Sequence, residues 1–357
     1  MAAARNALAL LFCCLFKLLL LLETCETLSP PSKPLKLAIA REYASFFQPL
    51  RSEFYNSDLT LTDPMNTLTS LDSYKSSLDT IGGRSLLGSL LFDSSKIILH
   101  TLKGGEPTAD GYTPLETRWT LSTFFKPTNR RILFTGISVY TLTAAAGSAK
   151  VSSQIDYWDS VNLVVGGDYA DKDRIEGVKD FVSQCFEGST VPDGEVPYIT
   201  LRRAKNYEVR RYPPIRWVSV KYDRREVGFE RLGRIVKGYE AGVRKPCLVE
   251  VGDGGKRMAW AVEGGEDSVF EERGGKVERR DSFVVAVVTV PEGTPATIKN
   301  ADRALENYLN SHGMEGESAE GDLSFCQFDE VFKMGQRRVE VWRKIKDDGL
   351  WDDTMEI

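Results

Sequence analysis

Two segments far apart in the chain constrain its fold more than any other feature. Tyr207-Glu208-Val209-Arg210-Arg211-Tyr212 and Arg337-Arg338-Val339-Glu340-Val341-Trp342 both read as strands. They stand about 130 residues apart, the length of one ordinary domain. They are expected to open and close that domain.

The full chain has 357 residues, a two-domain length, with 42% apolar and 27% charged residues. A net charge of −5 argues against nucleic acid as a partner, since phosphate binding needs a basic surface. There are two histidines, His100 and His312, too few for a multi-histidine metal site. Of six cysteines, Cys13, Cys14 and Cys25 lie near the N-terminus, while Cys185, Cys247 and Cys326 are widely spaced. No disulfide framework or structural zinc is expected, and a reducing compartment is.

Residues 1–27 read as a signal peptide: Arg5 precedes the apolar run Ala7 to Leu22, which Lys17 interrupts. Cleavage is expected after Thr27. Residues 28–41 carry basic residues, serine and proline but no acid, which are transit-peptide traits. The two in series resemble the bipartite plastid signals of algae with complex plastids. Plastid (chloroplast) localisation is the expectation, and the secretory pathway the alternative.

Residues 37–188 read as an α+β domain, helices first and a curving antiparallel sheet after. Helices are expected over Glu42 to Tyr55, Ser70 to Asp79 and Asp168 to Phe186, with strands at Leu90–Leu102, Thr117–Phe125, Arg131–Thr143 and Lys150–Asp159. The motifs Asp63-Pro64-Met65, Thr117-Arg118-Trp119-Thr120-Leu121, Phe134-Thr135-Gly136 and Asp156-Tyr157-Trp158-Asp159-Ser160 resemble the nuclear-transport-factor-2-like (SnoaL-like) superfamily in its plastid version. That resemblance implies a bent sheet wrapped around helices, leaving a cone-shaped cup. Candidates to line the cup are Asp63, His100, Trp119, Tyr140, Asp156 and Trp158. Asp63 with Tyr140 or His100 has the residue types of an isomerase or cyclase. A plainly structural role for each stays open: Asp63 in a turn, the tryptophans and His100 in the core.

A linker, 189–197, leads to the second domain, 198–346, and an acidic tail, 347–357. The second domain reads strand-helix-strands twice. Trp217–Asp223 is expected to pair with Tyr207–Tyr212, helices to span Val227–Gly242 and Ala301–Ser311, and the latter to start at Asn300 or Asp302. Gly252-Asp253-Gly254-Gly255-Lys256 reads as a hairpin turn, and the segment around Gly264-Gly265 and Gly274-Gly275 as a charged loop.

The two end motifs, with Phe229-x-x-Leu232-x-x-Ile235-Val236-x-Gly238, resemble the SOUL haem-binding family. The resemblance implies a twisted β-barrel flanked by two helices, and an apolar groove beside the first helix for haem or another tetrapyrrole. Phe229, Leu232 and Ile235 would form its wall, and Arg231 or Arg234 would pair with a propionate. The family's iron-ligating histidine falls on Arg211, so axial ligation there is not available. His312 and Cys247 are the remaining candidates. Basic residues predominate from Arg202 to Lys245, among Tyr207, Tyr212, Trp217 and Tyr222, a pattern for an anionic planar ligand or a solvated strand edge.

The resulting expectation is a plastid protein that buffers or carries a tetrapyrrole, without strong axial ligation and with no metal site of its own. Tetrapyrrole-handling enzymes are expected partners, along with peripheral membrane contact and a homodimer formed through the first domain's open sheet face. The alternatives are an enzyme in the cup or a non-catalytic scaffold.

Overall fold

The computed structural model describes residues 33–145, 148–171, 173–188, 194–290, 293–314, 316, 322–328 and 338–346. The signal-peptide reading, residues 28–32 and the acidic tail lie outside them.

The first domain runs α1 (Lys33–Ala44), β1 (Tyr55–Thr62), β2 (Thr67–Leu68), α2 (Leu71–Ile81), α3 (Leu86–Leu91), β3 (Phe92–Gly104), β4 (Pro107–Thr108), β5 (Gly111–Tyr112), β6 (Leu115–Phe125), β7 (Arg130–Ala145), β8 (Ser148–Trp158) and α4 (Arg174–Glu187). Its sheet has the order β2-β1-β8-β7-β6-β3, with only β1 and β8 parallel. Irregular register in β3 and between β7 and β8 bends the sheet. Tyr43 of α1 and Tyr74 of α2 fill the concave side with Trp119, Tyr140 and Trp158. This is the cone-shaped α+β arrangement that the resemblance implied.

The first helix differs from expectation. Leu35, Ile39 and Tyr43 recur every four residues and are buried, so the end of the segment read as transit-like belongs to the folded domain. The helix stops at Ala44 instead of spanning Glu42 to Tyr55. Phe46 and Phe47 are left-handed, and the buried Glu42 carboxylate accepts hydrogen bonds from Arg51 N and Tyr55 Oη, both at 2.6 Å. Those bonds draw the chain back on itself.

The second domain runs β9 (Ile199–Arg203), β10 (Glu208–Tyr212), β11 (Ile215–Lys221), α5 (Arg225–Ile235), β12 (Val243–Gly252), β13 (Gly255–Val262), α6 (Asp267–Glu272), β14 (Lys276–Arg280), β15 (Phe283–Val290), α7 (Pro295–Ser311), β16 (Leu323–Gln327) and β17 (Val339–Lys344). The sheet order is β14-β11-β13-β12-β16-β17-β15-β10-β9, antiparallel throughout. Alternate residues face opposite sides. One face packs Val209, Val249, Met258 and Val341 under Leu232 and Ile235 of α5 and Leu305 and Leu309 of α7. The other joins Tyr212 of β10 to Trp217 of β11, Leu248, Val287 and Trp342 in a second core. Strands from opposite ends of the order meet there, so the sheet curls into a half-barrel.

Three expectations fail here. β11 does not pair with β10 but with β13 and β14, because Pro213 and Pro214 lack the N–H groups of a tight hairpin and carry the chain across the barrel. α7 starts at Thr294, whose side chain accepts a bond from Thr297 N, with Pro295 in the first turn. The segment read as a charged loop holds α6 and the edge strand β14.

Candidate functional site

The charged residues of the two end motifs meet inside the half-barrel. β10 and β17 flank β15. Glu340 is fully buried and accepts hydrogen bonds from Arg210 Nη1 at 2.8 Å, Arg338 Nη2 at 2.8 Å, Arg338 Nε at 3.2 Å and Trp342 Nε1 at 3.2 Å. Arg210 also binds Glu208 at 2.7 Å and lies 4.3 Å over the Tyr198 ring, while Arg338 reaches Glu195 at 2.7 Å. Tyr212 packs on Trp342 with ring centroids 4.7 Å apart. Burial opposes the charge of Glu340, but Arg210 and Arg338 outweigh it and hold the carboxyl below its usual range. The described motif residues Arg210, Arg338, Glu340 and Trp342 therefore brace the barrel.

The helix expected to wall the groove divides its residues among different sides. Leu232 and Ile235 are buried against the sheet. Phe229 is half-buried beside the half-buried Trp260, with centroids 6.1 Å apart and tilted. At about 100° per residue, Arg231 and Arg234 lie roughly 140–160° around the helix from Phe229. Both are exposed; Arg231 Nη1 donates to Lys221 O, and Arg234 pairs with Glu230. Both thus leave the helix on the side opposite Phe229, so the propionate role expected of them is not shared with a ligand stacked on that ring.

The other ligand candidates lie elsewhere. Arg211 is half-buried, on the same face of β10 as Val209. His312 ends α7, its Nδ1 2.7 Å from Tyr207 Oη, and burial followed by Arg202 lowers its pKa. Gly166 N donates to Ser311 O, placing His312 beside the first domain and away from α5. Burial pushes the Cys247 thiol up to about 12, so it is no thiolate at neutral pH. Among the described residues, no group of three or more His, Cys, Asp and Glu could hold a metal.

The cup candidates each have partners within the first domain. Asp63 Oδ1 accepts from Met65 N at 2.6 Å and Asn66 N at 2.7 Å, so it fixes the turn between β1 and β2. Tyr140 is fully buried and bonds to Tyr43 Oη at 2.9 Å. Trp119 Nε1 donates to Ser138 at 2.8 Å, and Trp158 packs on Phe134 at 4.3 Å. His100 Nε2 lies 2.8 Å from Thr120 Oγ1. The single Thr120 proton goes to Thr200 O of the second domain, so His100 must donate at Nε2. It serves the domain boundary instead of the cup. Asp156 accepts from Gln154 Nε2 at 2.8 Å, and burial raises its carboxyl to about 7.

Motif residues not singled out from the sequence form the junction between the domains. Asp159 is buried; it accepts from Arg118 Nη2 at 2.8 Å, Thr135 Oγ1 at 2.5 Å and Tyr169 Oη, with Arg202 at 3.9 Å. Arg203 donates from its backbone to Thr135 Oγ1 at 2.6 Å and pairs with Asp180 at 2.6 Å. Arg118 and Thr120 each donate to β9 carbonyls, at Leu201 and Thr200. β9 thus covers part of the sheet face expected to dimerise. The first-domain motif residues Arg118, Thr120, Thr135 and Asp159 were the available signal, but nothing local says that they face another domain. Beside the junction lies a cleft of about 980 Å³, with Lys96, Phe124 and Arg131 on one side and Tyr198, Ile199 and Arg210 on the other.

The search of curated proteins gives no match. Several solved structures resemble part of the chain. A hydrolase from Listeria innocua is 10% identical, covering 40% of this chain and 92% of its own, with a TM-score of 0.32. The EcmrR C-terminal domain is 12% identical over 39% and 96%, with a TM-score of 0.32. An NTF2-like protein from Exiguobacterium sp. 255-15 is 15% identical over 34% and 98%, with a TM-score of 0.26. Residues 35–147 match the model of a family described as uncharacterized conserved protein (DUF2358), and residues 194–344 that of the SOUL heme-binding protein family. The chain therefore joins a DUF2358 domain to a C-terminal domain of the SOUL heme-binding family.

Proposed function

We propose that the second domain binds haem or a related tetrapyrrole on the flank of α5, through Phe229 and Trp260, and carries or buffers it in the plastid. The SOUL match over residues 194–344 carries this reading. The half-buried aromatic pair supports the position, because two tilted rings open to solvent offer a face for a planar apolar ligand. The fit is to the macrocycle and not to its iron: His312 is engaged by Tyr207 at the domain junction, and Cys247 is a buried thiol. The macrocycle is held by packing, and delivery to tetrapyrrole-handling enzymes follows from the lack of an axial ligand.

Titration of the full chain with haemin tests the reading. Saturable quenching of tryptophan fluorescence at micromolar ligand is expected, with a Soret shift that His312→Ala leaves unchanged. Phe229→Ala with Trp260→Ala should weaken binding about tenfold or more, the loss of stacking on two rings. Absence of any saturable haemin signal would sink the function; binding untouched by the double variant would sink the position. A full-length fluorescent fusion found only in the secretory pathway would overturn the plastid assignment.

A further inference from the structure

The cleft between the domains plays no part in the reading above. Its first-domain wall is the outer face of β3, β6 and β7. Register sets Lys96 opposite Ser122, Ile98 opposite Thr120 and Phe124 opposite Arg131. Residues two apart on a strand share a face, so Lys96, Ile98, Phe124 and Arg131 form one patch. Two strand spacings and two residues of rise separate Lys96 from Arg131, roughly 12 Å at the backbone. Their long side chains flank β6 from both sides.

Besides Arg130, which donates to Gly188 O, and the exposed Glu187, which accepts from Ser183, the charged lining holds two kinds of cation. Arg203, Arg210 and Arg338 are each held by carboxylates, Asp180, Glu208 with Glu340, and Glu195 with Glu340. Lys96 and Arg131 are exposed, and neither makes an ion pair among the described residues. The same lining holds Ile98 and, from the second domain, Ile199, each 38% exposed, with the half-buried Phe124. Cations alone would suit an inorganic ion, which has no use for the apolar patch. The apolar patch alone would suit a neutral ligand, which has no use for the cations. Together, in a concavity of about 980 Å³, they suit a molecule carrying both characters.

We propose that this cleft binds an organic anion, with its apolar body on Ile98, Phe124 and Ile199 and its acid group between Lys96 and Arg131. The site is separate from the α5 flank: it rests on β9, β10 and β17, whereas Trp260 lies on β13, toward the other end of the sheet order. It gives the first domain a direct part in ligand binding, since neither domain forms the cleft alone.

The probe is 8-anilinonaphthalene-1-sulfonate, an aromatic body with a sulfonate, followed by fluorescence on the full chain. Saturable enhancement is expected, displaced by decanoate and not by the same concentration of inorganic phosphate. Lys96→Glu and Arg131→Glu should each weaken it about tenfold, as expected for reversing one charge-assisted contact, and added salt should weaken it in the parent. Both side chains are exposed, so thermal melts should match the parent. Phe229→Ala with Trp260→Ala should leave the signal intact. Enhancement unchanged by both charge reversals would overturn the proposal, as would displacement by inorganic phosphate alone or loss of the signal only in the Phe229/Trp260 variant. Because haemin binding is read on the other pair of residues, failure there leaves this outcome standing, and the reverse.

Discussion

Replacing Glu340 by glutamine tests whether the end motifs brace the barrel. The side chain is fully buried and accepts four hydrogen bonds, three from two guanidinium groups and one from Trp342. Glutamine keeps the shape but removes the charge, and it turns an NH₂ group toward arginine donors. Of their carboxylate partners among the described residues, Arg210 then keeps Glu208 and Arg338 keeps Glu195. Removing one partner of a buried pair costs about 3–5 kcal/mol, because the remaining charge stays desolvated. Urea unfolding of the full chain, followed by tryptophan fluorescence, reads this loss, since Trp217 and Trp342 lie in the same core as the network. The two domains need not unfold together, so the loss belongs to the transition those tryptophans report. The pH course carries the sign. The folded carboxyl titrates below its usual range, so its contribution is full above the unfolded value of about 4 and fades as pH falls through the folded value. The double replacement Arg210→Met with Glu340→Met should cost less than Glu340→Gln alone, because no unpaired charge remains between those two positions. A loss under about 1 kcal/mol for Glu340→Gln, the scale of an exposed ion pair, would refute the bracing argument.

Two further predictions concern the first domain. Asp159→Asn leaves Arg118 and Arg202 buried at the domain junction without their carboxylate, and should cost about 3–5 kcal/mol and separate the unfolding of the two domains in calorimetry; an unchanged thermogram would refute the junction. Asp156 is the reverse case in pH. Its folded carboxyl is raised to about 7 by burial, so its stabilising effect is full below the unfolded value of about 4 and is lost as pH rises through 7. Asp156→Asn should therefore gain stability at pH 8, at most about 4 kcal/mol for three pKa units, and none at pH 3. Identical melting curves for parent and variant across that range would show that the carboxyl is not desolvated.

Local pattern carried much of the fold. The three-residue spacing of Phe229, Leu232 and Ile235 places most of α5, Ser70 caps α2, and Gly252 and Gly255 close the β12–β13 hairpin. The same patterns failed where the answer depended on a distant partner. The apolar spacing after Glu42 predicts a helix, yet the Glu42 carboxylate finds Arg51 and Tyr55 and makes a turn. Helical period alone could have separated Arg234 from Phe229, but only packing says which of the two sides meets the sheet.

What the sequence by itself determined is the α+β character of both halves, the type of most elements, and the strands β10 and β17 of the second unit. These follow from periodicity and turn chemistry within a few residues of one another. Tertiary structure alone decided that Arg210 and Glu340, separated by 130 positions, share one buried bond, that β10 ignores its neighbour β11, and that Asp159 faces Arg202 of the second domain. Such pairings depend on strand order and on which buried charges can satisfy one another, and neither is written in any short stretch of chain.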